Sequence, residues 1–152
     1  MIDTKKYLDL QYKFNGRLPE EGVDCLGLLF LVYQDQGWDI VTSDGKEIEP
    51  NWFEIDRLRF FRYLLKYWDK ETEIRELKEG DVLLWQINGE SHTAIYLGYN
   101  RFLSTYPELM SRLGISVGGY VFVGKLSVFN AIPGVEFICG FKRRVKDGRA
   151  DD

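Results

Sequence analysis

The hydrophobic spacing changes period part-way along this chain, and that change constrains the fold more than any other feature. From Asp24 to Asp35, Leu26, Leu29, Phe30 and Tyr33 recur at helical spacing. Asp24 is the expected N-cap and Gly37 the expected stop. Residues 53–70, FEIDRLRFFRYLLKYWDK, predict a second amphipathic helix with Phe53, Leu58, Phe61, Leu65 and Trp68 along one face. Beyond Leu77 the apolar runs shorten. A turn at Glu79-Gly80-Asp81 precedes a compact strand, and HTAIYLGYNRFLSTY reads as two strands joined near Gly98 to Asn100. GYVFVGKLSVF and VEFICGFKRRV are two further strands, and PELMSRLG a helical turn. Helices first and strands after is the pattern of an α+β domain, with N-terminal helices packed on a C-terminal antiparallel sheet.

The connections complete that picture. TKKYLDLQYKF predicts a short helix or an extended lead-in, and NGRLPEEG a loop. TSDGKEIEPN is a second loop, with a short hairpin at Asp44-Gly45. Residues 38–53 form the one long connection, the expected place for an insertion or lid. The domain is expected over 1–145, with a disordered charged tail over 146–152.

Composition narrows the function classes. A chain of 152 residues, 45% apolar and 29% charged, is one globular domain able to bury its own core. A net charge of -4 argues against nucleic-acid binding, and FKRRVKDGR reads as a solvated strand end and tail. Two cysteines and one histidine leave no zinc site of ordinary composition, and no metal or organic cofactor is expected. No apolar run is long enough to cross a bilayer, and the N-terminus lacks the apolar core of a secretory signal.

Cys25 opens the first predicted helix. Unpaired N–H groups and the helix dipole favour a thiolate there, and the thiolate is the reactive form. Taken alone, Cys25 also fits a buried, inert thiol. His92 is the only side chain whose ordinary pKa lies near neutrality. A cysteine at a helix start and a histidine on a later strand are the parts of thiol catalysis, in which the imidazole takes the thiol proton. Cys139 reads as sheet core, with Phe137 and Cys139 alternating against Ile138.

Local sequence adds what spacing leaves open. GVDCLGLLFLVY resembles the nucleophile motif of the NlpC family of cell-wall cysteine endopeptidases, G-V-D-C-S-G-L-V. LKEGDVLLW resembles that family's G-D-L-V-F-F segment, and HTAIYLGYNRFLST its H-V-G-I-Y-L-G-x-x-x-F-I-H stretch. LQYKFNG is similar to its Y-x-x-G-G lead-in. The resemblance implies a papain-like α+β fold, with Cys25 as nucleophile and His92 as general base. Tyr12 would turn its hydroxyl toward the cysteine, Asp24 matches the acidic residue before it, and the Cys25 N–H would hold the oxyanion. Leu26 stands where many members have Ser. Ser104 stands where many carry a third polar residue, often His, so the triad would read Cys25–His92–Ser104.

Strand register tests that triad. A regular two-residue turn at Tyr99-Asn100 sets Ile95 opposite Ser104, which separates Ser104 from His92. An odd-length turn or a bulge brings them together. Without either, Thr105 takes the place of Ser104.

The resemblance implies amide hydrolysis in the peptide stem of bacterial peptidoglycan, near a γ-D-glutamyl link to a diamino acid. D-C-L-G, the compact size and the missing export signal suggest a phage or prophage tail component, made in the cytoplasm and carried to the wall with other tail proteins. Two alternatives remain open: a tail-assembly protein that keeps the fold without catalysis, and a thiol amidase or acyltransferase with a non-wall substrate.

Overall fold

The computed structural model describes residues 1–42, 56, 58–107, 109–110 and 116–145. The expected hairpin at Asp44-Gly45, the tail over 146–152 and most of the expected lid lie outside these residues.

A 3-10 turn at Thr4–Lys6 leads into a small ribbon, β1 (Arg17–Leu18) and β2 (Gly22–Val23), inside the segment expected as loop. Helix α1 follows over Cys25–Gln36. Asp24 caps it by accepting from the Gly27 N–H at 2.8 Å, and Gly37 ends it in the left-handed region at φ 75°. Gly27 is required by close approach, because a Cβ there would overlap the Gly16 carbonyl oxygen.

Helix α2 spans Arg59–Tyr67. Its buried face is Phe60, Tyr63 and Leu64, whereas Leu58 and Leu65 are exposed. Of the expected stripe, Trp68 is buried and Phe61 packs edge-on against Phe141, the two leucines face outward, and Phe53 lies outside the described residues. Tyr63 meets Phe30 edge-on at 6.5 Å, and Trp68, just past the helix, packs at 5.9 Å from Tyr33. These aromatic contacts with α1, rather than the leucines, decide which way α2 faces.

The main sheet is antiparallel, with strand order β3-β10-β4-β5-β6-β9. The strands are β3 (Asp69–Glu71), β4 (Val82–Ile87), β5 (Glu90–Gly98), β6 (Arg101–Thr105), β9 (Val121–Lys125) and β10 (Val135–Lys142). β7 (Leu109–Met110) pairs with β8 (Ser116–Val117) where a helical turn was expected. The segment expected as one strand over 119–129 breaks after Lys125 into a short helix, α3 (Leu126–Phe129).

Both sheet faces are covered. Leu84, Ile95, Leu97 and Leu103 pack with α1 and α2 in one core, and Trp85, Ala94, Tyr96 and Phe102 pack with Leu126, Phe129 and Ile132 in the other. Cys139 is buried, as expected, but Phe137 does not share its face. The β10–β4 register shifts between them, so Phe137 lies opposite Trp85 and Cys139 opposite Leu84. The extra residue is Ile138, and a bulge of that kind reverses the alternation.

Candidate active site

The site forms where β5 and β6 part. Their hairpin turns at Tyr99 (φ 53°) and Asn100 (φ 65°), both in the left-handed region that a two-residue type I′ turn requires. The pairs are Gly98↔Arg101, Tyr96↔Phe102 and Ile95↔Leu103, with a shift between Tyr96 and Gly98. Leu97 is therefore an extra residue, and Gly98 accommodates the bulge at φ 86°. The bulge sets Ile95 opposite Leu103 instead of Ser104. Ser104 consequently shares the sheet face of His92.

The β5–β6 ladder ends at Ile95↔Leu103, and side chains take over beyond it. Ser104 Oγ donates to the Thr93 carbonyl at 2.9 Å and lies 2.8 Å from His92 Nε2. A hydroxyl has one proton. Since Ser104 gives its proton to Thr93 O, the bond to His92 must be donated by Nε2–H. The imidazole is thereby held in one tautomer, with the Nδ1 lone pair available as base.

His92 is 1% exposed. Its ring meets Tyr106 edge-on at 4.9 Å and lies 5.8 Å from Trp85 and 6.1 Å from Phe129. Trp85 is itself fixed by its Nε1–H bond to Asn130 at 2.7 Å. Burial depresses the imidazole to about 3, so it is neutral at physiological pH. The unfolded chain takes up this proton near pH 6.5, and the folded one only near pH 3. The stability contributed by neutral His92 is thus complete above pH 6.5 and is lost as pH falls toward 3. Asp24 and Asp81 act oppositely, because burial raises their pKa values. A difference measurement therefore isolates the histidine. The urea-stability gap between wild type and His92→Gln should narrow by a few kcal/mol (about 1.4 per pKa unit) between pH 7 and pH 4. A constant gap would contradict a neutral buried imidazole.

Cys25 is the first residue of α1 and half-buried. Its sulfur abuts Thr93, the residue after His92: the Thr93 N–H and hydroxyl both favour the thiolate. Burial outweighs them and the helix terminus, and with the Asp24 charge pushes the thiol up to about 11. The expected low-pKa thiol is therefore absent at rest. Thiol and imidazole are both neutral at rest, the thiol at the start of α1 and the imidazole on the Trp85 face of the sheet.

Asp24 is occupied by its own chain. Besides capping Gly27, it accepts from the Asn15 N–H at 2.8 Å and from Arg17 at 2.7 Å. Arg17 also lies over the Phe30 ring at 5.4 Å. Asp24→Ala removes the cap and leaves the guanidinium without its carboxylate. It should cost about 1–3 kcal/mol, read as a lower urea midpoint with unchanged slope.

Two tyrosines lie within electrostatic reach of Cys25. Tyr12 and Tyr106 are half-buried, and both phenols are raised by burial and by the charges of Cys25 and Glu90, Tyr106 to about 12. Tyr12 is held by its N–H bond to the Gly119 carbonyl, and the Gly119 N–H bonds in turn to the Tyr106 carbonyl. Glu90, at the start of β5, has its own pKa raised by burial. The sequence reading did not single out Thr93, Tyr106, Arg17 or Glu90. Tyr106 was within reach, since it stands two residues after Ser104, just past the end of β6. Arg17 carried no local signal. Among the described residues, no cluster of His, Cys, Asp or Glu is arranged to hold a metal.

Comparison with known proteins decides the family. The NlpC/P60 family matches residues 9–117, a span that includes Tyr12, Asp24, Cys25, His92 and Ser104. This chain belongs to the NlpC/P60 family. Over 104 residues the domain is 29% identical to a gamma-DL-glutamyl hydrolase of Bacillus subtilis (strain 168), covering 66% of this chain and 21% of that relative. It thus spans about a fifth of that relative's length. The solved NlpC/p60 domain of the peptidoglycan hydrolase SagA superposes with a TM-score of 0.56 at 24% identity, covering 91% of this chain and 92% of that one. RipD from Mycobacterium tuberculosis, described as a non-catalytic NlpC/p60 protein adapted to peptidoglycan binding, gives 0.55 at 17%, with coverage of 93% and 92%. These likenesses establish the α+β NlpC/P60 fold.

Proposed function

We propose that this NlpC/P60 domain is a cysteine endopeptidase acting on the peptide stem of peptidoglycan, at an amide near a γ-D-glutamyl link to a diamino acid. The observation that carries the reading is the hydrogen-bond chain from Thr93 O through Ser104 to His92 Nε2, which fixes the imidazole as a base beside the strand residue that touches the Cys25 sulfur. The hydrolase named among the relatives supports the γ-glutamyl bond.

His92 Nδ1 takes the Cys25 proton as the sulfur adds to the carbonyl carbon. The resulting oxyanion accepts from the Cys25 N–H at the start of α1. Collapse breaks the C–N bond, the amine leaves with the proton from His92, and a thioester remains. Water then attacks with His92 as base and restores the thiol. Digestion of purified peptidoglycan with mass analysis tests the bond: new fragments should end in γ-linked D-glutamate and begin with the diamino acid. Fragments cut elsewhere would reassign the substrate, and no fragments would remove the enzyme reading.

The D-C-L-G sequence supports a setting in a phage or prophage tail, with tail proteins as partners. Detection of the chain in purified virions tests it, and absence there would sink it.

A second reading has its own observation. His92 and Ser104 share the sheet face of Trp85 and Phe129, opposite the face that packs α1, and the imidazole is almost wholly buried. A protein that binds the wall without cutting it, as described for RipD, fits that burial. Sedimentation with insoluble peptidoglycan, unaccompanied by fragment release, would favour it.

A further inference from the structure

We propose that the Thr93 hydroxyl is a catalytic donor that stabilises the Cys25 thiolate as it forms. The inference rests on the reading of Cys25 as nucleophile and adds a residue to that site.

Thr93 is 1% exposed, and among the described residues its Oγ1 has no hydrogen-bond partner. An orphaned buried hydroxyl is costly, so a fold that keeps one invites the question of what satisfies it. Position supplies the answer. Alternation along β5 sends His92 to the Trp85 side and Thr93 to the Ile95 and Leu97 side, where α1 packs. Cys25 is the first residue of α1, and the Thr93 N–H and hydroxyl both favour its charged form. The Thr93 carbonyl is already taken by Ser104.

A neutral thiol is a poor acceptor and a thiolate a strong one. The hydroxyl therefore gains its partner only once the sulfur proton has moved to His92. An interaction made in the reacting state and not at rest lowers the barrier rather than merely tightening binding. It also offsets the burial that holds the resting thiol protonated. His92 and Thr93 divide the work across one strand: one residue removes the proton and its neighbour receives the charge.

The test is alkylation of the full chain by iodoacetamide at pH 8, followed at Cys25 by peptide mapping. The sulfur–carbon bond forms as iodide leaves, and the rate follows the thiolate fraction without any wall substrate. Thr93→Val should slow Cys25 alkylation about tenfold, the effect of roughly one pKa unit, while Thr93→Ser stays close to wild type. A purely structural role predicts otherwise. Valine removes an orphaned buried hydroxyl, so the urea midpoint should hold or rise while the thiol slows. Thr93→Ala reports the same loss of hydroxyl if the valine variant does not fold. An unchanged rate in folded hydroxyl-less variants would overturn the proposal and leave the endopeptidase reading standing. A wild-type Cys25 no more reactive than buried Cys139 would overturn both.

Discussion

Cys25→Ala is expected to abolish release of stem fragments from purified peptidoglycan while leaving the fold intact. The sulfur is the atom that would form the thioester, and no other described residue can replace it. Cys139, the only other thiol, lies in β10 within the core, opposite Leu84. Loss of a nucleophile that acts together with its base costs many orders of magnitude, on the order of 10⁶ in a well-studied serine protease. Stability should move little, because the helix cap belongs to Asp24 and a half-buried Cβ remains. Fragment masses from wild type and Cys25→Ala, compared at equal loading, check this. Identical patterns would mean that the wall is not cut by this thiol. A variant that still sediments with peptidoglycan but releases nothing would separate wall binding from cutting.

The second large effect is expected at Ser104. Its hydroxyl joins two buried groups, the His92 Nε2–H and the Thr93 carbonyl. Ser104→Ala leaves both without that partner in a site closed to water, at a cost of about 1–3 kcal/mol each. It also removes the interaction that selects the tautomer. A base whose lone pair points the wrong way is lost to the reaction even when its ring is in place, an effect worth about 10⁴ where it has been measured in a serine protease. A serine holds the ring less firmly than a carboxylate does, so a fall of roughly 10²–10³ in kcat is expected here, with KM nearly unchanged. The urea midpoint should fall in parallel. An activity loss confined to KM would show that Ser104 shapes the substrate cleft instead of the imidazole.

How much of this could be read from residues alone differs from element to element. The start of α1 was legible because Asp24 and Gly37 are local signals, each set by one side chain and its own backbone. The face of α2 was not. Its stripe holds leucine on both sides, and the aromatic contacts with Phe30 and Tyr33 that decide between them come from distant sequence. The break after Lys125 and the β7–β8 ribbon were missed for a similar reason: short apolar runs fit helix and strand alike. In the site, Cys25 and His92 stood out by type, and the register rule stated what the chain needed to join His92 to Ser104. Whether it had a bulge could not be read, because Leu97 looks like any other strand leucine. The thiol's high pKa was also hidden, since burial is a property of the assembled fold rather than of a helix start.

The hairpin between β5 and β6 carries an evolutionary consequence. Its tip is far along the strand from the imidazole, and Tyr99 is 92% exposed, where substitutions and indels ordinarily cost little. Here one residue gained or lost reverses the parity of β6, turning Ser104 into the apolar core and Leu103 toward His92. Length at that surface loop is therefore tied to the Ser104–His92 contact. Lineages of this domain should tolerate changes of residue at the tip freely, and changes of number only in compensated pairs.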